Sequence, residues 1–493
     1  MVMRVGGLAT GMDIDSIVNK LMTAERIPLD KMQQDKTMLE WKRDAFRDVN
    51  KKLSELDQMI LNMKMSSTYN SKMVSSSNEG AVTASGSSSA SNGSYSIEVT
   101  QLAKNAINMS TAAVDLDPNT SLKEQGVQEQ KFTFTTYNEK GEADTHNYTI
   151  QDGETLNQLL KRVSDDDNNV RMFFDDQSQR VIMETTRTGN YNPDGKEIVF
   201  YEGSNAFFKN TLNLHMSKEQ GGTDAKFKYN NTELELTSKT NDYQLNGINF
   251  QFKDVGSANL TVTNDVESSF ESIMKFVDKY NEVVETLNES QREEKYRDYP
   301  PLTDEQKKDM SEDEIELWEE RAKSGLLRGE SALSSGLFSM RQSWYSSVDT
   351  GGGFTSLTQI GIETSKDYMD GGKLVVNEKD LRDALREDPA GVQKLFSNSD
   401  ENESRGLVNR LEDSLERTIN QIGERAGNDT HTTLENYTLG KRMKDLNERI
   451  SAFEDRLVVR ENRYWSQFTA MESAISRMNM QSAQLMSQFG GGM

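Results

Sequence analysis

From Met443 an apolar residue returns at every seventh position, through Ile450, Leu457, Tyr464, Met471, Met478 and Leu485, with Leu439, Leu446 and Phe453 interleaved. A seven-residue repeat drifts around a helix of 3.6 residues per turn, and it stays on one face only where helices wrap around each other. The stretch 439–489 therefore predicts a coiled-coil seam that needs a partner. At 1.5 Å per residue, an unbroken helix from Lys441 to Gln488 is roughly 70 Å long, far longer than the usual globular helix. Gly490, Gly491 and Gly492 are expected to stop it.

The other end of the chain carries a matching pattern. Between Leu29 and Met65 one series runs Met32, Leu39, Phe46, Leu53 and Ile60, and a second runs Val49, Leu56 and Met63. The spacing predicts an intramolecular seam in which Met32, Leu39, Phe46, Val49, Leu53 and Leu56 face Leu439, Met443, Leu446, Ile450, Phe453 and Leu457. Acid-to-base pairs at i,i+4, Asp48 to Lys52 and Asp445 to Arg449, add a few tenths of a kcal/mol each. Ahead of this helix, the segment from Gly6 to Gly11 reads as flexible, Asp13 caps a shorter helix, and Pro28 is expected to interrupt it. Past Leu457 the second series turns into Arg460, Gln467, Ala474 and Gln481 while methionines accumulate. A half-polar seam cannot hold a tight permanent coil, and methionine suits contacts that re-pack. Ile14, Ile17, Val18 and Leu21, with Phe468, Met471, Ile475, Met478 and Leu485, are therefore expected to meet an external partner. The segments Met12–Met22 and Phe468–Phe489 are expected to order only on it.

The middle of the chain changes period. Ser75–Asn92 is rich in Ser, Ala and Gly, as a linker or weak edge strands would be, and alternating patterns then begin at Tyr95–Val99. They recur at Phe132–Tyr137, Asn147–Ile150, Val170–Phe174, Val181–Thr185, Ile198–Tyr201, Ala225–Tyr229, Leu234–Leu236, Ile248–Phe252 and Leu260–Val262, with a short helix over Thr155–Val163. Helical spacing returns from Phe270 to Leu287. An acidic stretch from Pro300 to Lys323, holding Trp318, reads as a solvated helical arm. Further on come a strand over Lys373–Val376, helices around Leu381–Leu385 and Leu407–Ile422, and a Thr432/Glu435 capping pattern expected to open the final helix.

The fold class is α+β and multidomain: terminal helices paired as a coiled-coil stalk, a mainly helical leg domain, and two β-rich head domains inserted in the middle. A length of 493 residues requires several structural units. The 80 acidic against 57 basic side chains, a net charge of −23, argue against nucleic-acid partners and anionic lipid. With no cysteine there is no thiolate nucleophile, disulfide or sulfur-held metal. No apolar run is long enough for membrane insertion, and the N-terminus lacks the apolar core of a cleaved secretory signal. His146, His215 and His431 sit in separate segments, and the clusters Asp165–Asp167 and Asp175–Asp176 lack spaced calcium ligands. With no P-loop, dinucleotide fingerprint or nucleophile elbow, no catalytic site, metal or cofactor is expected.

Several segments carry a family resemblance. Gly7-Leu8-Ala9-Thr10-Gly11-Met12-Asp13-Ile14-Asp15-Ser16-Ile17-Val18, Ala24–Leu29, Tyr95–Ala103, Asp224–Phe227, Phe276-Val277-Asp278-Lys279-Tyr280-Asn281, Gly325–Arg328, Gly372-Lys373-Leu374 and Val392–Phe396 resemble the bacterial flagellar filament-capping family. The arm with Trp318 is similar to versions from Bacillus-like bacteria. The resemblance implies a ring-like homo-oligomer of about five subunits at the filament tip, exported through the flagellar channel without a cleaved signal. Implied partners are flagellin, hook–filament junction proteins and an export chaperone, and the external partner of the two chain ends is flagellin or the hook. The implied layout is 1–45 with 455–493 as terminal legs, 46–76 with 266–454 as the helical domain, 77–130 with 220–265 as one head domain and 131–219 as the other. The alternative reading is a surface adhesin that binds host ligands through its β domains.

Overall fold

The computed structural model describes residues 11–128, 131–192, 194–200, 206–351, 353–428 and 430–490. The glycine segment before Gly11, the stop residues Gly491 and Gly492, and Tyr201 of one expected strand lie outside them. The helices are α1 (Ile14–Met63), α2 (Ser66–Tyr69), α3 (Leu156–Asp165), α4 (Val266–Arg292), α5 (Asp304–Lys308), α6 (Glu312–Lys323), α7 (Ser331–Tyr345), α8 (Glu378–Glu387), α9 (Pro389–Ser397), α10 (Leu407–Ala426) and α11 (Thr438–Gly490). The strands are β1 (Lys72–Ser76), β2 (Val82–Gly86), β3 (Gly93–Gln101), β4 (Asn105–Met109), β5 (Lys131–Tyr137), β6 (Ala143–Thr149), β7 (Val170–Asp175), β8 (Arg180–Thr188), β9 (Val199–Phe200), β10 (Ala225–Tyr229), β11 (Glu235–Ser238), β12 (Asp242–Leu245), β13 (Ile248–Phe252), β14 (Gly256–Asn264), β15 (Ile362–Thr364) and β16 (Leu374–Val376). They divide into two compact units, residues 1–69 with 270–493 and residues 70–269.

The first unit is helical. Its longest elements are α1 and α11, and α1 corrects the sequence reading: it is one helix of 50 residues with Pro28 inside it. An interior proline costs about 3 kcal/mol. Both flanks of Pro28 are held down, since Val18, Met22 and Leu29 are buried against Leu457 and its neighbours, and that burial outweighs the lost backbone bond. A second correction concerns the start of α11. Thr432 and Glu435 do not cap it; the helix begins at Thr438, and Gly440 lies in its first turn. A Cβ at Gly440 would stand 2.3 Å from the Leu434 carbonyl, so only glycine admits this close approach.

Two family-like segments meet in this unit. The Tyr280 hydroxyl donates to the Gly372 carbonyl at 3.3 Å, and the Asn281 amide serves both backbone groups of Leu374, donating to its carbonyl at 2.8 Å and accepting from its N–H at 2.7 Å. Lys373 extends to Glu285 at 2.9 Å. One face of α4 thus completes the free edge of the β15–β16 hairpin, which would otherwise leave polar groups of a buried strand unpaired.

The second unit is antiparallel throughout. A five-stranded sheet, β1-β14-β3-β10-β11, and a three-stranded one, β12-β13-β2, enclose one core that includes Val82, Ile97, Phe227, Phe250 and Leu260. The Ser75–Asn92 stretch supplies the end of edge strand β1 and all of edge strand β2. Asn246 and Gly247, both at positive φ, make the two-residue turn between β12 and β13. Two further sheets, β4-β8-β7 and β6-β5-β9, share a separate core with α3, in which Phe132, Phe134, Tyr148, Phe200, Phe207 and Phe208 stack. This second core spans Val114–Leu214, and β4 pairs with β8, so the chain passes from one core to the other near Lys104 rather than near residue 130. Asn168 is fully buried and fully used, donating to the Tyr148 hydroxyl and the Val163 carbonyl at 2.6 Å each and accepting from Val170 N–H at 2.8 Å.

One buried acid in this unit is incompletely satisfied. Glu219 is 5% exposed; one oxygen accepts the Glu197 N–H at 2.8 Å, and the other has no partner. Burial pushes its pKa up to about 7. The folded state therefore keeps a proton that the unfolded chain releases near 4.5, so stability is fully present below 4.5 and is lost as pH rises through 7. Glu219→Gln is expected to melt like the parent at pH 4 and to exceed it at pH 8 by about 3 kcal/mol, read as a difference in Tm. Asn281→Ala is expected to lower the stability of the helical unit by about 2 kcal/mol in thermal unfolding, because Leu374 loses both partners.

Candidate assembly surfaces

The surfaces available for assembly follow from how α1 and α11 pair. Glu25 of α1 accepts from Arg460 and from the Tyr464 hydroxyl, the latter at 3.0 Å, while Arg47 lies 5.6 Å from the ring of Tyr437. Numbers rise along one helix as they fall along the other, so the two run antiparallel. In this register Met32 joins Leu29, Ile450, Phe453 and Leu457 in one cluster, and Leu439, Met443 and Leu446 are buried below it. Leu39 is half-buried.

The expected seam departs from the structure beyond Phe46. Val49, Leu53 and Leu56 lie past the first residue of α11, on the stretch of α1 that packs with α10 and is tied by ion pairs to α4. Lys64 pairs with Glu412 of α10, Glu55 with Lys279 of α4 at 2.6 Å, and Arg425 of α10 lies 5.8 Å from the Phe46 ring. Lys52 reaches Glu282 at 3.3 Å instead of Asp48. Glu330, at the start of α7 and 8% exposed, takes both Lys42 and Arg425, the latter at 2.7 Å. A seven-residue pattern records which face is apolar, and here one face is shared in succession by different helices.

The expected ends also divide. Ile14 and Val18 are 3% and 1% exposed against α11, so they belong to the clasp rather than to an outer contact surface. Ile17 is half-buried and Leu21 is 37% exposed. On α11 the half-buried apolar positions after Leu457 are Tyr464, Trp465, Phe468, Met471 and Ile475. The second series is therefore not lost at Arg460. It resumes at Phe468, four residues after Tyr464, and at Ile475, four after Met471, an insertion that locally unwinds a seven-residue repeat. Beyond this point the side chains are bare: Met478, Met480, Leu485 and Met486 are 54–75% exposed along a helix that continues to Gly490.

The remaining candidates take structural places. His146 is within 2.8 Å of the Thr136 hydroxyl, and the His431 ring is within 3.1 Å of Asn428 Oδ1. Asp166 accepts from the Tyr148 hydroxyl at 2.8 Å, and Asp175 accepts from Ser178 N–H at 2.9 Å. Among the described residues no three acids or histidines gather in a group that could hold a metal ion, and no helix is long and apolar enough to cross a membrane. The acidic arm is helical and mostly exposed, and it folds around Trp318, whose indole N–H donates to the Pro300 carbonyl at 2.7 Å beside the ring of Tyr299. The paired prolines Pro300 and Pro301 ahead of Trp318 in one charged stretch are the signal for it in the sequence.

Comparison with known proteins is consistent along the chain. The model of the flagellar hook-associated protein 2 C-terminus matches residues 222–480, and that of the N-terminus matches 10–106. The interval between them holds the whole Val114–Leu214 core. The flagellar hook-associated protein 2 of Halalkalibacterium halodurans is 38% identical over 99% of this chain and 100% of that protein. The A-type flagellar hook-associated protein 2 of Pseudomonas aeruginosa is 25% identical over 98% and 96%. In fold, the chain resembles the D1-D2-D3 domains of the flagellar cap protein FliD from Escherichia coli, with a TM-score of 0.57 at 17% identity over 78% of this chain and 97% of that one. Matched from end to end by a relative of this identity, the chain belongs to the flagellar hook-associated protein 2 family.

Proposed function

We propose that this protein caps the tip of the bacterial flagellar filament as a homo-oligomer, retaining exported flagellin and promoting its polymerisation. The observation that carries this reading is family membership over the full length. The geometry divides the labour between the two ends of α11. The antiparallel clasp of α1 and α11 fixes the two chain ends to each other, and α11 then runs on past Ile475 as a single helix with an exposed methionine and leucine face. Methionine side chains are flexible and polarizable, so such a face can meet successive neighbours without a fixed fit, as a cap that advances with each added subunit requires. In this reading Met478 and Leu485 contact flagellin, and Leu21 adds to the same end. The role asks for binding and release, not for covalent chemistry. The adhesin alternative finds no support in these comparisons.

Deleting the gene is expected to leave hooks with few filaments and to release unpolymerised flagellin into the medium. Normal filaments in that strain, counted by electron microscopy, would overturn the reading. A Met478→Glu, Leu485→Glu variant is expected to keep its unfolding free energy to within about 0.5 kcal/mol, because both positions are exposed, yet to restore few filaments to the deletion strain.

A further inference from the structure

The arm between α4 and α7 has one satisfied side and one unsatisfied side. On the inner side Trp318 is held by Pro300 and Tyr299, Glu319 pairs with Lys307 at 2.7 Å and Lys323 at 3.2 Å, and Lys323 lies 4.8 Å from the ring of Trp41 on α1. On the outer side of α6, Asp313, Glu316, Leu317 and Glu320 fall at i, i+3, i+4 and i+7, which places them on one face. All four are exposed, Leu317 at 59%. None of these three carboxylates has an ion-pair partner among the described residues.

A surface of opposite character surrounds the loop from β15 to β16. Tyr345, Tyr368 and Met369 are 51%, 77% and 45% exposed. Arg341 donates to the Tyr345 hydroxyl at 3.1 and 3.0 Å, and Arg292 donates to the Met369 carbonyl at 2.8 Å. Neither guanidinium has a carboxylate partner among the described residues. The acids of this loop are engaged within it: Asp367 accepts the Met369 N–H at 2.8 Å, and Asp370 accepts the Ser365 hydroxyl at 2.5 Å. Glu285 is held by Lys373 at 2.9 Å. Exposed tyrosines beside unpaired arginines have the composition of an interface centre, and three unpaired acids around one leucine are its complement.

The two surfaces face different ways. On α4 the residues turned toward α1 and the base of the arm are Lys279, Glu282, Thr286, Ser290 and Glu293, and those turned toward the hairpin are Asn281, Glu285, Asn288 and Arg292. At 3.6 residues per turn these sets are centred about 130° apart, so one copy cannot bring its own α6 onto its own hairpin surface by a small movement. A second copy can. Complementary patches on different sides of one protomer make a head-to-tail contact, the kind that closes into a ring. Resting on the homo-oligomeric cap reading, we infer that α6 of one copy docks, Leu317 foremost, on the Tyr345, Tyr368 and Arg341 surface of the next.

The absence of natural cysteines makes the test clean. Leu317→Cys and Tyr368→Cys, together and singly, replace the gene in flagellated cells; both positions are exposed, so neither change disturbs the core. Mild oxidation of the cells is expected to convert most of the double variant into a ladder of reducible multimers, read by blotting under denaturing conditions. Each single variant is expected to remain monomeric. Cells carrying the double variant that swim normally but show no ladder would overturn this contact while leaving the cap reading intact. Dimers from Leu317→Cys alone would overturn it also, since like surfaces would then meet. Loss of the cap reading itself would show separately, as normal filaments in the deletion strain.

Discussion

The helical unit depends on the antiparallel pairing of α1 with α11. Two helices of 50 and 53 residues cannot be stabilised by backbone bonds alone in water; each needs an apolar face covered along most of its length. Below Phe46, α1 obtains that cover from α4 and α10, and above it from α11. The ion pairs at Glu55, Lys64 and Glu330 flank this face and fix which helix meets it at each level, while burial of Phe46, Leu53, Leu56 and Ile60, all fully covered, supplies the free energy. Pro28 survives inside α1 for the same reason: the cost is local, and the burial that offsets it lies on both sides.

The β unit solves a different problem, that of holding two cores on one excursion of chain. Near each core the buried polar groups are used almost completely. Asn168 satisfies three partners, and Arg162 meets both oxygens of the buried Glu154 at 2.8 and 2.9 Å. The departures are the amide oxygens of Asn108 and Asn190 and one acid, Glu219, whose second oxygen finds no partner and whose pKa is raised by burial. The interval between the two family models holds the second core, which has an aromatic cluster of its own.

Much of the architecture was legible in the chain because period reports exposure directly. The two-residue alternation located most strands, and the seven-residue repeat located both long helices and their apolar faces. Segment resemblance then tied Phe276–Asn281 and Gly372–Leu374 to one family, although only the coordinates show that Asn281 pairs with the backbone of Leu374. Where reading failed, the cause was a property no single stretch contains. The repeat in α1 marked Leu53 and Leu56 as covered but could not say by which helix. The polar residues Arg460 and Gln467 suggested a lapsed seam because a fixed seven-residue frame has no place for a four-residue step to Phe468.

The sequence alone determined that this chain has two long terminal helices with one covered face each, a β-rich interior, no thiol chemistry and the segments of a flagellar cap family. All but the last are consequences of side-chain pattern and composition, which act residue by residue; the family segments rest on resemblance. Tertiary structure decided the register of the clasp, the inward turn of Ile14 and Val18, the docking of Trp318 on Pro300 and Tyr299 within the arm, and the bare face beyond Ile475. Each of these depends on which surfaces meet, and the free energy of burial belongs to a pair of surfaces rather than to either one.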